Sequence, residues 1–220
     1  PYPSRTLLAR GSKDAGGAHW AFEPLVRSPG GAGNVVDRFV RSAQKAQGLA
    51  PHPQASRREL VRRIYFDVLG VPPSPEDVRR FERDRRADAW ERLVDAVLAD
   101  PRYGERAGRL WLDVARYADS DGYEGDGDRP AAWPYRDFVI DALNEDMPYD
   151  RFVGWQLAGD ELAPTEPRAR AATGFLAAGP LVHPTVTDTK ENKERYRYDE
   201  LDDIVSTVGG AFLGLQLGCA

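Results

Sequence analysis

The chain reads as all-α, an irregular multi-helix bundle preceded by an extended Gly/Pro-rich segment. Three observations carry that reading: apolar residues recur at three- and four-residue spacing, helix-start signals are dense after residue 55, and alternating period-two runs are nearly absent.

Residues 1–50 hold Gly16-Gly17 and Gly30-Gly31-Ala32-Gly33, interrupted by one apolar patch around Trp20 and Phe22, which reads as a linker with a docking point. Asn34 is placed to cap a short helix running to about Gln47, closed by Gly48, Pro51 and Pro53. A helical domain is expected over 51–220.

Ser56 and Glu59 have the spacing of a reciprocal N-terminal cap, and Leu60, Val61, Ile64, Tyr65, Val68 and Leu69 line one face before Gly70 ends the helix. Ser74-Pro75-Glu76-Asp77 supplies a cap, a first-turn proline and first-turn acids for another. Trp90, Leu93, Val94, Val97 and Leu98 give a third stripe. After Asp100-Pro101, Leu110, Trp111, Val114 and Ala118 are expected to face inward. Phe138, Val139, Ala142 and Leu143, then Phe152, Val153 and Leu157, predict two more core-facing helices around Pro148. A short helix is expected over 168–176 and a loop through Pro180 and Pro184. The final stretch, 199–216, has Leu201, Ile204, Val205, Val208, Phe212 and Leu215 in the pattern of a central buried helix.

Composition narrows function. Thirty Lys and Arg against 35 Asp and Glu give a net charge of −5, with basic residues interleaved with acidic ones, so no basic face is available to neutralise nucleic-acid phosphates. No apolar run approaches a membrane span. The chain begins at Pro1 and reads as a processed or excised product. Serine-hydrolase elbows, nucleotide-binding loops and dinucleotide fingerprints are absent from the sequence.

The segment 119–128 is the most unusual: Asp119, Asp121, Glu124, Asp126 and Asp128 put five carboxylates in ten residues, and their repulsion calls for a positive partner. Three readings are open: calcium held by Asp119, Asp121, Glu124 and Asp126, a loop braced by arginine, or a solvated loop. The EF-hand pattern fails, since Tyr123, Glu124 and Pro130 fall at its fifth, sixth and twelfth positions. Arg116, Arg136 and Asp137 flank the loop and are expected to converge on it with Asp119, Tyr123 and Glu124. Asp119 and Glu124 are candidate general acid and base for glycoside cleavage, with polysaccharide as the implied partner; whether the chain is an enzyme is left open. The three histidines, His19, His52 and His183, lack metal-ligand spacing. Trp111, Trp133 and Trp155 are expected to pack in the core. On residue type alone, Cys219 reads as an inert buried thiol.

Several ordered motifs carry a resemblance: Leu60-Val61-Arg62-Arg63-Ile64-Tyr65-Phe66-Asp67-Val68-Leu69-Gly70-Val71-Pro72-Pro73; Asp100-Pro101-Arg102-Tyr103-Gly104-Glu105-Arg106; Trp111-Leu112-Asp113-Val114-Ala115-Arg116-Tyr117-Ala118-Asp119-Ser120-Asp121-Gly122-Tyr123-Glu124; Tyr135-Arg136-Asp137-Phe138; Asn144-Glu145-Asp146-Met147-Pro148-Tyr149-Asp150; and Tyr198-Asp199-Glu200-Leu201-Asp202-Asp203. Together, over roughly 19–220, the chain resembles a helical module of unknown function in secreted planctomycete cytochrome c proteins, lying just before a Cys-x-x-Cys-His haem motif. That resemblance implies an exported, periplasmic or extracellular protein supporting haem-based electron transfer. It implies haem c as cofactor, a thioether to Cys219, and other haem-bearing domains or chains as partners. A glycan-binding or carbohydrate-active module and a non-catalytic assembly module are the alternatives. His183, in the loop through Pro180 and Pro184, reads as a surface or hydrogen-bonded histidine, with a distal haem ligand as the alternative.

Overall fold

The computed structural model describes residues 24, 33–122 and 126–217. Their regular elements are all helices, with no strand beyond one isolated bridge between Ser120 and Asp128. The chain divides into two compact units, Pro1–Gln54 and Ala55–Ala220. Trp20 and Phe22 lie outside the described residues.

The first unit contributes α1 (Val35–Ala46), whose N-cap Asn34 accepts the Val36 N–H at 2.8 Å. None of its residues is buried.

In the second unit, α2 (Arg57–Ile64) opens on the expected reciprocal cap, Ser56 with Glu59, and continues into a wider π turn (Tyr65–Leu69) closed by Gly70 at φ 72°. Ser74 caps α3 (Pro75–Arg83) in the same way through Asp77. With α4 (Ala89–Leu98) these helices bury two small clusters: Val61, Phe81 and Ala89 in one, Ile64, Leu69 and Val97 in the other. Trp90 stays at the edge, 6.1 Å from the Phe81 ring.

The main core is built by α5 (Arg102–Val114), α6 (Trp133–Asn144), α7 (Tyr149–Leu162), α8 (Pro167–Ala172) and α9 (Gly174–Ala177). The face α5 turns inward differs from the one its apolar residues predict. Leu110 and Val114 are exposed, and the buried line is Gly104, Gly108 and Ala115 with Trp111 beside it. The reason is close approach: a Cβ on Gly104 would sit 2.5 Å from the Ile140 carbonyl oxygen, so bare glycine lets α6 lie against the α5 backbone. Asn144 secures the crossing by accepting the Gly104 N–H at 2.8 Å and donating to the Pro101 carbonyl at 3.1 Å.

On α7 the buried line is Phe152, Gln156 and Gly159, while Leu157 is exposed. Gln156 is fully buried (0% exposed) and accepts from Trp111 Nε1 and Tyr135 Oη, each at 2.8 Å, while its amide donates to the Phe152 carbonyl at 2.9 Å. Trp111 also contacts the rings of Phe152, Phe175 and Phe212. Trp155 packs against Phe138. Trp133 departs from the expected core position: at the first turn of α6 it is 52% exposed, beyond the reach of the α5–α7 packing.

The expected helix over 168–176 is two short pieces, α8 and α9, separated at Thr173. The final helix also differs. α10 (Lys190–Val208) starts about nine residues earlier than its apolar pattern predicts, at a Thr189 cap whose side chain accepts the Asn192 N–H at 3.2 Å. It has no buried residue, so it is not a central helix; Leu201 and Val205 are exposed. Its charged first half solvates that part, and only Val208 and the following π turn (Gly209–Leu213), through Ala211 and Phe212, reach the main core. Among the described residues, no helix is long and apolar enough to cross a membrane.

Candidate functional site

The acidic loop is set up by the way α5 ends. Arg116, at φ 61°, occupies the left-handed position after the helix, with its N–H on the Asp113 carbonyl (3.2 Å) and the Tyr117 N–H on the Leu112 carbonyl (2.9 Å). That reversal turns the Arg116 side chain away from the loop and onto Asp203 of α10. Tyr117 heads the other way, and its hydroxyl donates to Asp119 at 2.5 Å. Burial and that carboxylate push the Tyr117 phenol up to about 12.

The two described arms of the loop, 119–122 and 126–129, pair antiparallel. Asp121 N–H donates to the Gly127 carbonyl at 2.8 Å, Arg129 N–H to the Asp119 carbonyl at 2.8 Å, and Gly122 N–H to Asp126 at 3.0 Å. Asp121 is its buried anchor. Arg129 Nε donates to one Asp121 oxygen at 2.8 Å, and His183 Nε2 lies 2.9 Å from the other. Arg129 also donates to the carbonyls of Ala178 (3.3 Å) and Gly179 (2.7 Å), the acceptors left at the end of α9, so one guanidinium joins the acidic loop to a helix C-terminus. The Leu181 N–H completes the joint by donating to the Asp121 carbonyl at 3.1 Å.

Among the candidate residues, the structure thus brings Asp119 to Tyr117 and pairs Arg136 with the adjacent Asp137 at 3.0 Å, close enough for both pairs to influence one another. Arg116 does not join them. Tyr123, Glu124 and Cys219 lie outside the described residues. Of the carboxylates named for calcium, Asp119, Asp121 and Asp126 each face a protein donor, and among the described residues no group of three or more His, Cys, Asp and Glu is arranged to hold a metal ion. His183 Nε2 is directed at Asp121.

Arg129 is the residue the sequence reading passes over. It directly follows Asp128, and its N–H is paired with the Asp119 carbonyl. Arg129 first, and His183 second, hold the Asp121 carboxyl below its usual range. A carboxylate with a depressed folded-state pKa adds stability above its ordinary pKa near 3.8, and that stability fades as pH falls through the lower folded value. Arg129→Gln is therefore expected to lower Tm at neutral pH, and the gap to the parent should narrow below about pH 3.8. Thermal melts between pH 2 and 7 measure this; a gap that stays constant to the lowest pH would show that Asp121 is not the partner concerned.

Beside this joint lies a cleft of about 720 Å³ between the segment around residues 129–135 and the α8–α9 region, in the size range of small-molecule sites. Tyr117, Arg129 and Leu181 contribute to it from the loop side.

No curated protein and no solved structure matches the chain. Residues 35–220 match the family PSCyt2, described as a protein of unknown function (DUF1549), and the chain belongs to that family.

Proposed function

We propose that this chain is the helical module of an exported c-type cytochrome protein, acting in the periplasm or outside the cell as a scaffold for haem-based electron transfer. The observation that carries the reading is the PSCyt2 match over residues 35–220, a name that points to a cytochrome-associated module, together with Cys219 at the close of the matched region.

The residues leading to Cys219 suit that role. Leu217 is tied back to α10: its carbonyl accepts from Ser206 Oγ at 2.5 Å, and its side chain lies where a Cβ on Gly209 would be. Leu213 and Leu215 leave apolar surface on the same short segment. A porphyrin face needs an apolar wall of this kind and a fixed attachment point. In this reading Cys219 would hold the group by a thioether, with a second thiol and an imidazole completing the motif. Haem supplies one-electron transfer. The module's own residues shield one face and, through burial, influence the potential. Other haem-bearing domains or chains are the proposed partners, with the exposed Leu201 and Val205 of α10 as adjoining surface.

A pyridine haemochrome spectrum of the longer native protein, made in a host that matures c-type cytochromes, tests the proposal. Covalent haem that is lost or altered in Cys219→Ser is the expected result. A protein without covalent haem, or one whose haem content and spectrum ignore that substitution, would remove it.

A further inference from the structure

The 720 Å³ cleft beside α9 carries a chemistry that neither the family nor the haem proposal uses. Its walls include Pro130, Pro134, Pro164 and Pro167, with Tyr117 among the flanking aromatics. Proline rings fix their own backbone angle and have no side-chain rotamers to freeze, which lowers the ordering cost of binding against them.

Its charge is equally distinctive. In a chain of net charge −5, the only charged residues lining the cleft, among those described, are two arginines. Arg129 is already balanced by Asp121 and by the carbonyls ending α9. Arg170 is not balanced: it is exposed, makes one long donor contact at 3.3 Å to the Pro164 carbonyl, and pairs with no carboxylate among the described residues. A guanidinium with unused donors at the mouth of a rigid apolar cleft matches a planar anion, most directly a carboxylate, which it can grip through two parallel hydrogen bonds.

We infer that this cleft is a binding site for a small amphipathic carboxylate, its ring or chain lying between the prolines and tyrosines and its carboxylate on Arg170. The inference does not rest on the haem reading.

Titration of the purified protein with 2-naphthoate, followed by calorimetry and by ligand-observed NMR, tests the inference. Saturable one-to-one binding is expected, with the neutral analogue 2-naphthalenemethanol about tenfold weaker. Arg170→Gln should erase that difference. Ala177→Trp, a change at an exposed position lining the cleft, should abolish binding while leaving the circular dichroism spectrum and Tm unchanged. Absence of saturation at millimolar naphthoate, equal affinity of the parent for acid and alcohol, or unaltered binding by a folded Ala177→Trp variant would overturn it. So would a dimer, detected by light scattering, that Ala177→Trp disperses, since the cleft would then belong to a second copy of the chain.

Discussion

Gly159→Ala is expected to destabilise the protein by about 3 kcal/mol, at the upper end of what overpacking costs. A Cβ on Gly159 would overlap the carbonyl of Ala169 in α8, and the obstacle is backbone on both sides, so no rotamer change relieves it. Gly159 also follows the one irregular residue of α7, Ala158 at φ −154° and ψ 38°, where the helix kinks as its last turn meets α8. The control is Gly210→Ala, where an added Cβ meets no atom within 4 Å and the change should stay within about 0.5 kcal/mol. Urea unfolding followed by tryptophan fluorescence compares the two. Equal midpoints would mean that α7 and α8 can separate freely, contrary to the packing described.

The second large effect is expected at Gln156. Leucine there removes the acceptor shared by Trp111 Nε1 and Tyr135 Oη, leaving the Trp111 N–H only a longer contact of 3.2 Å to the tyrosine oxygen and the Tyr135 O–H no partner. Unpaired buried polar groups cost roughly 1–3 kcal/mol each, so a loss of about 3 kcal/mol is expected. Burial already pushes the Tyr135 phenol up, in keeping with a hydroxyl that has no access to water. The diagnostic is the double variant. Tyr135→Phe added to Gln156→Leu removes the orphaned hydroxyl at the cost of the long 3.2 Å contact left to the Trp111 N–H, so the pair should be less destabilised than the sum of the singles by about 1 kcal/mol. Simple additivity in a urea-denaturation cycle would show that the two side chains are not coupled.

Both positions illustrate what apolar patterning misses. On α5 and α7 the reading of hydrophobic periodicity finds helices but selects part of the wrong face, because the residues that bring α6 and α8 close are Gly104, Gly108 and Gly159, which have no side chain to register as apolar. Gln156 is invisible for the opposite reason: it reads as a surface residue until Trp111 and Tyr135, far away in sequence, are seen to need its oxygen. The last helix is misjudged for want of a partner. Its apolar residues have the right spacing for burial, but no described element covers Leu201 and Val205.

The acidic loop divides in the same way. Its need for a positive group follows from charge repulsion alone, and the arginine brace stands among the readings the sequence allows. Which arginine serves depends on the left-handed turn at Arg116, which sends that side chain to Asp203, and on the end of α9, which gives Arg129 its carbonyl acceptors.

The sequence by itself determined the all-α class, the capped starts at Asn34, Ser56 and Ser74, and the resemblance that the family match over residues 35–220 supports, because caps, helical periodicity and ordered motifs are properties of neighbouring residues. Only the tertiary structure decided which faces are buried, how Gln156, Trp111 and Tyr135 meet, and where the proline-walled cleft with Arg170 lies. Those features depend on contacts between residues distant along the chain, and local propensity carries no information about them.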